Sequence, residues 1–154
     1  MEPMLQPGQV IPTFTLPDSE GRPVRRTIYR GQKHLVLVFL PSTNDQGGRT
    51  YLQALADTYQ LVRGASAAVL AVVRGAETSA QAFKREIDLP FPLLLDADGD
   101  VTGRFLPPAA PAAVFVTDRY GELYYSKVVA RMADLPPIGE LHDWLTAIDH
   151  QCVI

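Results

Sequence analysis

The chain has 154 residues, of which 47% are hydrophobic and 20% charged, and its formal net charge at pH 7 is -3. These values are those of an ordinary globular protein and exclude a disordered or collagen-like chain, so we expect a single domain over residues 1–154. The acidic balance disfavours a nucleic-acid partner, because phosphate binding needs clustered lysine and arginine.

The targeting and cofactor signals in the sequence are few. The N-terminus has neither the basic start nor the apolar run of a signal peptide, and no stretch approaches the roughly 20 apolar residues of a membrane span. We therefore predict a cytoplasmic protein without a membrane partner.

Cys152 is the single cysteine, which excludes an internal disulfide, a Cys-x-x-Cys pair and a Cys-rich zinc site. His34, His142 and His150 lack metal-ligand spacing, so we predict no metal and no cofactor.

The first half of the chain predicts a hairpin followed by a βαβ unit. Extended runs at 13–16 and 23–25 flank a turn-forming stretch at 18–21. The β-branched run 35–40 predicts a central strand buried on both faces. Apolar residues from Arg49 to Val62 follow a helical period, and Asn44 or Asp45 can cap this helix if it begins a turn earlier. A second buried strand at 67–73 should run parallel to the first through a right-handed crossover.

The second half continues the alternation of helices and strands. Thr78 or Ser79 can cap a helix that ends at Ile87, before Pro90. We then predict a short strand at 93–95, a brief helical turn at 101–105, two strands at 113–116 and 123–129, and a helix over 137–149. This order predicts an α/β, thioredoxin-like three-layer sandwich: a mixed central β-sheet with helices on both faces and an N-terminal β-hairpin.

Three blocks of the sequence resemble the alkyl hydroperoxide reductase and thiol-specific antioxidant family, the peroxiredoxin-like branch of the thioredoxin fold. The first block is "PGQVIPTFTLPDSEGRPV", the second "VLVFLP" and the third "VFVTDRYGEL". The family pattern in the first block is filled by Pro7, Gly8, Pro12, Phe14, Leu16, Asp18, Gly21 and Val24. The resemblance spans about residues 7 to 148 and implies an antioxidant, redox-active relative.

The family's catalytic positions are not matched. Its reactive loop has the form Pro-x-x-x-Thr-x-x-Cys, and counting from Pro41 places Asp45 at the Thr position and Gly48 at the peroxidatic Cys position. In the family's peroxidases an Arg six residues before the Asp of the late hairpin supports the thiolate, and Ala112 stands there. A cis-Pro occupies that place in related reductases, and Pro111 matches it with a one-residue slip.

Two interpretations of the loop remain open. Gly47 and Gly48 at a helix start leave backbone N–H groups accessible, so a small anionic ligand could bind there with help from Thr43 or Arg49. Alternatively, Asp45 caps the helix and the glycines only permit the turn.

The sequence therefore supports two hypotheses of function. In the first, the protein has lost thiol peroxidase chemistry and acts by binding, as a homodimer or through a protein or small anionic ligand at loop 41–49. In the second, it remains a thiol-dependent oxidoreductase that uses Cys152 from the C-terminal tail, with His150 as the nearby partner of the thiol.

Overall fold

The computed structural model describes residues 4–42, 44–74 and 77–151. The strands are β1 (Thr15–Pro17), β2 (Pro23–Arg25), β3 (His34–Leu40), β4 (Ala67–Val73), β5 (Leu93–Leu95), β6 (Ala112–Thr117) and β7 (Leu123–Val129). The helices are α1 (Gln46–Asp57), α2 (Tyr59–Gly64), α3 (Glu77–Ile87), α4 (Thr102–Phe105) and α5 (Ile138–Gln151), and 3-10 turns occur at Arg26–Tyr29 and Met132–Asp134.

Strand β3 lies at the centre of a five-stranded mixed sheet with the order β5-β4-β3-β6-β7. It pairs in parallel with β4 and antiparallel with β6, and all seven of its residues are buried. A run of apolar residues suits such a strand because both faces of the sheet are covered. The predicted central strand and parallel βαβ pairing are therefore confirmed.

The two faces of the sheet carry different layers. Alternate residues of β3, including Val36 and Val38, pack with side chains from α1, α2, α3 and α5. The intervening residues, including Leu37 and Phe39, pack with the N-terminal segment and the short helix α4. The predicted α/β sandwich with a mixed sheet and an N-terminal hairpin is confirmed. Helices cover both faces, but α1, α2, α3 and α5 all pack on the same face and α4 packs on the other.

An aspartate holds each of the two hairpins. In the β1–β2 turn the carboxylate of Asp18 accepts the N–H groups of Glu20 and Arg22, both at 2.9 Å. In the β6–β7 turn Asp118 accepts those of Tyr120 and Glu122. Both predicted hairpins are confirmed.

The helix predicted from the apolar period of residues 49–62 does begin a turn earlier, with Asp45 as its cap, but it is not continuous. It begins at Gln46 and divides at Thr58 into α1 and α2. The Thr58 hydroxyl donates to the carbonyl of Ala54, at 2.8 Å, and such back-bonding slightly destabilises a helix and favours a bend at this residue. The third helix begins at Glu77, before either predicted cap, Thr78 or Ser79.

Candidate functional site

The loop that carries the candidate residues connects the last residue of β3 to the first of α1. Leu40 ends β3 and Gln46 begins α1, at the carboxyl end of the central parallel pair. Strand β6 begins beside the same end, since Phe39 is paired with Ala113. The sheet therefore brings Ala112 next to the loop. Thr43 lies outside the described residues.

Asp45 caps α1. Its backbone is extended, and its side-chain Oδ1 accepts the N–H of Gly48 at 2.8 Å. Asn44 does not cap; its N–H donates to the hydroxyl of Ser42 at 3.1 Å. The carboxylate of Asp45 therefore already occupies part of the helix N-terminus that an anionic ligand would need.

Gly48 is buried, and the space beside it is bounded by carbon. A Cβ placed on it would lie 3.5 and 3.6 Å from the two methyl groups of Leu40 and 3.6 Å from Cε of Met132. These are ordinary van der Waals distances, so a small side chain fits at this position. No polar atom is among these nearest neighbours, and a side chain here would meet three methyl groups.

Gly47 has a different reason to be glycine. A Cβ on Gly47 would lie 2.9 Å from Cβ of Met132, a distance that real side chains essentially never show. The 3-10 turn that begins at Met132 therefore approaches the start of α1 too closely for any side chain at residue 47. This glycine permits close packing between two segments that lie far apart in the sequence.

Arg49 is engaged away from the loop. Its guanidinium forms an ion pair with Glu86 on α3 and lies over the ring of Phe83, 4.9 Å from the ring centre. These contacts line a surface groove of about 490 Å³ between α1 and α3. Binding of an anion by Arg49 at the loop stays a prediction.

Ala112 and Pro111 are the two positions at the start of β6 that were compared with the family's Arg and cis-Pro. Ala112 is fully buried and pairs with Val129, within the apolar layer that also contains Leu40. The peptide bond that precedes Pro111 is trans, as are all those of the described residues. The reductase-like cis-Pro that a one-residue slip would provide is therefore absent at Pro111.

The described histidines and carboxylates do not come together at the loop. His34 begins β3, at the end opposite the loop and roughly 20 Å from it for six residue steps of a strand. Its Nε2 lies 3.2 Å from the carboxylate of Asp149. Among residues 4–42, 44–74 and 77–151, no group of three or more His, Cys, Asp or Glu side chains could hold a metal ion. Cys152 and the side chain of His150 lie outside the part of the chain that is described.

Met132 and Tyr51 are neighbours of the loop that the sequence did not reveal. The Tyr51 hydroxyl donates to the carbonyl of Pro136 at 2.7 Å, which ties the segment after β7 to α1. Burial, with smaller contributions from Tyr125 and Glu140, raises the pKa of Tyr51. Both residues line a groove of about 400 Å³ along α1 that reaches Gly47. No periodicity marks a methionine in a single 3-10 turn, so only the packing places it here.

Comparison with known proteins shows the family and the fold of the chain. The sequence model of the AhpC/TSA family matches residues 7–126, which include β1 to β6, the loop and α1. The chain belongs to the AhpC/TSA family. The three blocks that suggested this family lie within or overlap the matched region.

Two plant relatives of this AhpC/TSA protein are chloroplastic peroxiredoxin Q proteins. That of Sedum lineare is 35% identical over 94 residues, which cover 61% of this chain and 50% of the relative. That of Triticum aestivum is 34% identical over 94 residues, covering 61% and 43%. The chain therefore spans about half the length of these relatives. Because they are chloroplastic, the cytoplasmic location inferred from the sequence stays a prediction.

Two solved structures share the fold. Peroxidoxin BcpB from Mycobacterium tuberculosis superposes with a TM-score of 0.80 at 20% identity, covering 94% of this chain and 98% of the other. The reduced 2-Cys peroxiredoxin of Plasmodium vivax gives 0.82 at 18% identity, covering 94% and 82%. At these identities the likeness concerns the fold. Within the described residues, no helix has the length and apolarity needed to cross a membrane.

Proposed function

We propose that this AhpC/TSA protein does not turn over peroxides by thiol chemistry and that it acts by binding through the face around loop 41–49. The observation that carries the proposal is Gly48. It stands where the family pattern places the peroxidatic cysteine, and its nearest side-chain neighbours are methyl groups of Leu40 and Met132. A thiolate nucleophile needs a sulfur and a polar surrounding that stabilises its charge.

The surroundings of the loop support the same conclusion. The position of the supporting Arg is filled by Ala112, whose methyl group cannot stabilise a thiolate. The Thr position is filled by Asp45, whose negative charge at the helix start would raise the pKa of a thiol placed beside it. Asp45, Gly48 and Ala112 thus all disfavour the attack of a thiolate on peroxide at this place.

The geometry favours a protein partner or a second copy over a small anion as the bound species. Asp45 takes an N–H group that an anion would use, and Arg49 is held by Glu86. The groove beside Gly47 is walled largely by carbon from Tyr51, Met132 and Leu135. Such walls suit an apolar side chain better than a charged ligand.

A peroxide-consumption assay with dithiothreitol tests the loss of turnover. Neither the wild type nor Cys152→Ser should accelerate peroxide consumption measurably above the rate with dithiothreitol alone. Sustained turnover by the wild type that disappears in Cys152→Ser would reject the proposal in favour of a thiol oxidoreductase acting through the tail. Gly48→Cys is the matched gain-of-function variant, since its Cβ fits. It should become oxidised by peroxide at residue 48 yet remain far slower than a working peroxidase, because Ala112 and Asp45 are unchanged.

Two binding measurements separate the candidate ligands. Titration calorimetry with sulfate, phosphate and acetate should give no heat at millimolar concentrations. Analytical ultracentrifugation reports whether the chain forms a dimer, and Thr50→Arg, which places a long cation at an exposed position in the wall of the groove, should weaken a dimer that uses this face. Heat from an anion that Arg49→Ala removes would overturn the preference for a protein partner.

A further inference from the structure

Two large apolar side chains are exposed together at the end of the molecule opposite loop 41–49. Ile28, in the 3-10 turn before β3, is 65% exposed, and Tyr120, in the β6–β7 turn, is 56% exposed. The two turns are tied to each other, because the N–H of Gly31 donates to the carbonyl of Arg119 at 2.8 Å. Exposed apolar groups that lie close together, unlike single ones, indicate a contact surface.

Positive charge without a partner surrounds these apolar side chains. The sequence over 21–44 contains five Arg or Lys residues and no Asp or Glu, although the whole chain has a net charge of -3. Arg25, Arg30 and Lys33 are exposed, and within the described residues none of the three forms an ion pair. The basic surface is defined here as Arg25, Ile28, Arg30, Lys33 and Tyr120.

A pocket of the opposite charge lies along the outer side of α5. It has a volume of about 350 Å³ and is lined by Glu140, Asp143, Trp144 and Ala147, which share one side of the helix. Both acidic residues are exposed, and in the part of the chain that the structure describes neither is in an ion pair. The Trp144 ring packs against Tyr125, with ring centres 5.5 Å apart, so this α5 pocket has a supported aromatic wall.

The basic surface and the α5 pocket lie on opposite sides of the sheet. Tyr29, next to Ile28, packs with the layer that contains the N-terminal segment, whereas Trp144 packs with the layer of α1, α2, α3 and α5. One copy therefore cannot cover its own pocket, but it presents both surfaces to other copies at once. Two basic surfaces cannot face each other favourably, because like charges would be brought together.

We propose that copies of this chain associate head to tail, with the basic surface of one copy seated on the α5 pocket of the next. Ile28 enters the pocket beside Trp144, and the cations that flank it in the sequence, Arg25 and Arg30, meet the carboxylates at the rim. Apolar and aromatic groups at the centre with charged groups around them are the usual composition of a protein interface. Such a contact is heterologous, so it extends into a chain of copies or closes into a ring.

Sedimentation velocity from micromolar to millimolar concentration tests the association. The wild type should form larger species as its concentration rises, and salt should reverse this because it screens the charge pairs. Ile28→Asp and Asp143→Arg change exposed side chains, and each should weaken association about tenfold or more. Thr50→Arg, in the groove beside Gly47, is the matched control and should associate as the wild type does.

Two results of this measurement would overturn the proposal. One is a wild type that stays monomeric at millimolar concentration. The other is association that Thr50→Arg removes and Ile28→Asp does not, which would place the contact at loop 41–49 and leave the proposed function intact. Loss of the proposed function, by peroxide turnover, would leave the head-to-tail contact untouched, because its residues lie outside the loop.

Mixing two variants tests the head-to-tail arrangement. Ile28→Asp keeps a working α5 pocket, and Asp143→Arg keeps a working basic surface. An equimolar mixture should therefore form a one-to-one dimer and no larger species, since one productive pair of surfaces remains. If the wild type associates but the mixture stays monomeric, the contact is not head to tail and the proposal is wrong.

An anionic membrane is the other occupant that cations and exposed apolar groups suit. Flotation with vesicles that contain phosphatidylserine distinguishes it, and the wild type should remain unbound. Vesicle binding by a monomeric wild type that is lost in Ile28→Asp would assign the basic surface to lipid and overturn the proposal.

Discussion

The N-terminal hairpin and loop 41–49 each contain an aspartate whose carboxylate accepts backbone N–H, but the two carboxylates accept different numbers of hydrogen bonds. Asp18 is buried and accepts two N–H groups together with Nε of Arg22 at 3.3 Å. Asp45 is half-buried and accepts the single N–H of Gly48. The hairpin residue fills a position of the family pattern, whereas the loop residue stands where a count from Pro41 predicts the family's threonine.

This difference shows that residues needed for the fold and residues needed for catalysis can be considered separately. Asp18 matches the family pattern in a place where the turn needs it to satisfy backbone groups. In the loop, Asp45 caps the start of α1 and Gly47 leaves room for Met132 to pack against it. Neither role requires a nucleophilic side chain. The family's architecture therefore does not by itself show that its chemistry is present.

Removing the hairpin carboxylate should have the largest effect on stability. Asp18→Ala leaves two N–H groups in the turn without their acceptor and breaks the contact with Arg22. We expect it to lower the free energy of unfolding by about 2 to 3 kcal/mol, measured by urea denaturation. A loss no greater than that of Asp45→Ala would erase the contrast between the two regions.

The pH dependence of Asp18 provides its control. Burial acts to raise the pKa of Asp18, but the N–H groups of Arg22 and Glu20 and the charge of Arg22 outweigh it, so the pKa is lowered. A lowered carboxyl pKa stabilises the fold above the unfolded value of about 3.9, and this stability disappears as the pH falls through the folded value. The stability advantage of the wild type over Asp18→Asn should therefore shrink below about pH 4.

The two glycines of the loop should respond in opposite directions to alanine. In Gly47→Ala the new Cβ collides with Cβ of Met132, and we expect a loss of about 1 to 2 kcal/mol. In Gly48→Ala the Cβ meets only ordinary contacts within a helix, where alanine is better than glycine by about 0.5 to 1 kcal/mol. Thermal unfolding of the pair measures the difference. Equal destabilisation by both would mean that Met132 does not pack as described.

Removing the loop carboxylate should have the smallest effect. Asp45→Ala deletes one capping hydrogen bond, and we expect a loss of about 1 kcal/mol in urea denaturation. Asp45→Ser, which keeps a capping oxygen without the charge, should recover most of that loss. If the serine variant is as unstable as the alanine variant, the charge rather than the cap is what Asp45 contributes.

The elements that the sequence predicted well are those with a strong local signal. The apolar runs 35–40 and 67–73 and the turn around 118–121 are patterns of neighbouring residues, and the structure confirms the strands and the hairpin there. The division of the first predicted helix at Thr58 was missed because the apolar period continues through it from Leu52 to Val62. In the structure α1 ends at Asp57 and α2 begins at Tyr59, and the Thr58 hydroxyl between them donates to the carbonyl of Ala54.

By itself, the sequence determined which atoms are available at the candidate site: no thiol in residues 41–49, an aspartate before the helix, and an alanine at the expected arginine position. It could equally be interpreted as an open anion pocket or as a capped turn. The tertiary structure brought Met132, more than eighty residues further along the chain, against Gly47 and Gly48, and turned Arg49 towards Glu86. Such contacts depend on how β7 and α3 pack around α1, and no pattern of sequence neighbours contains that information.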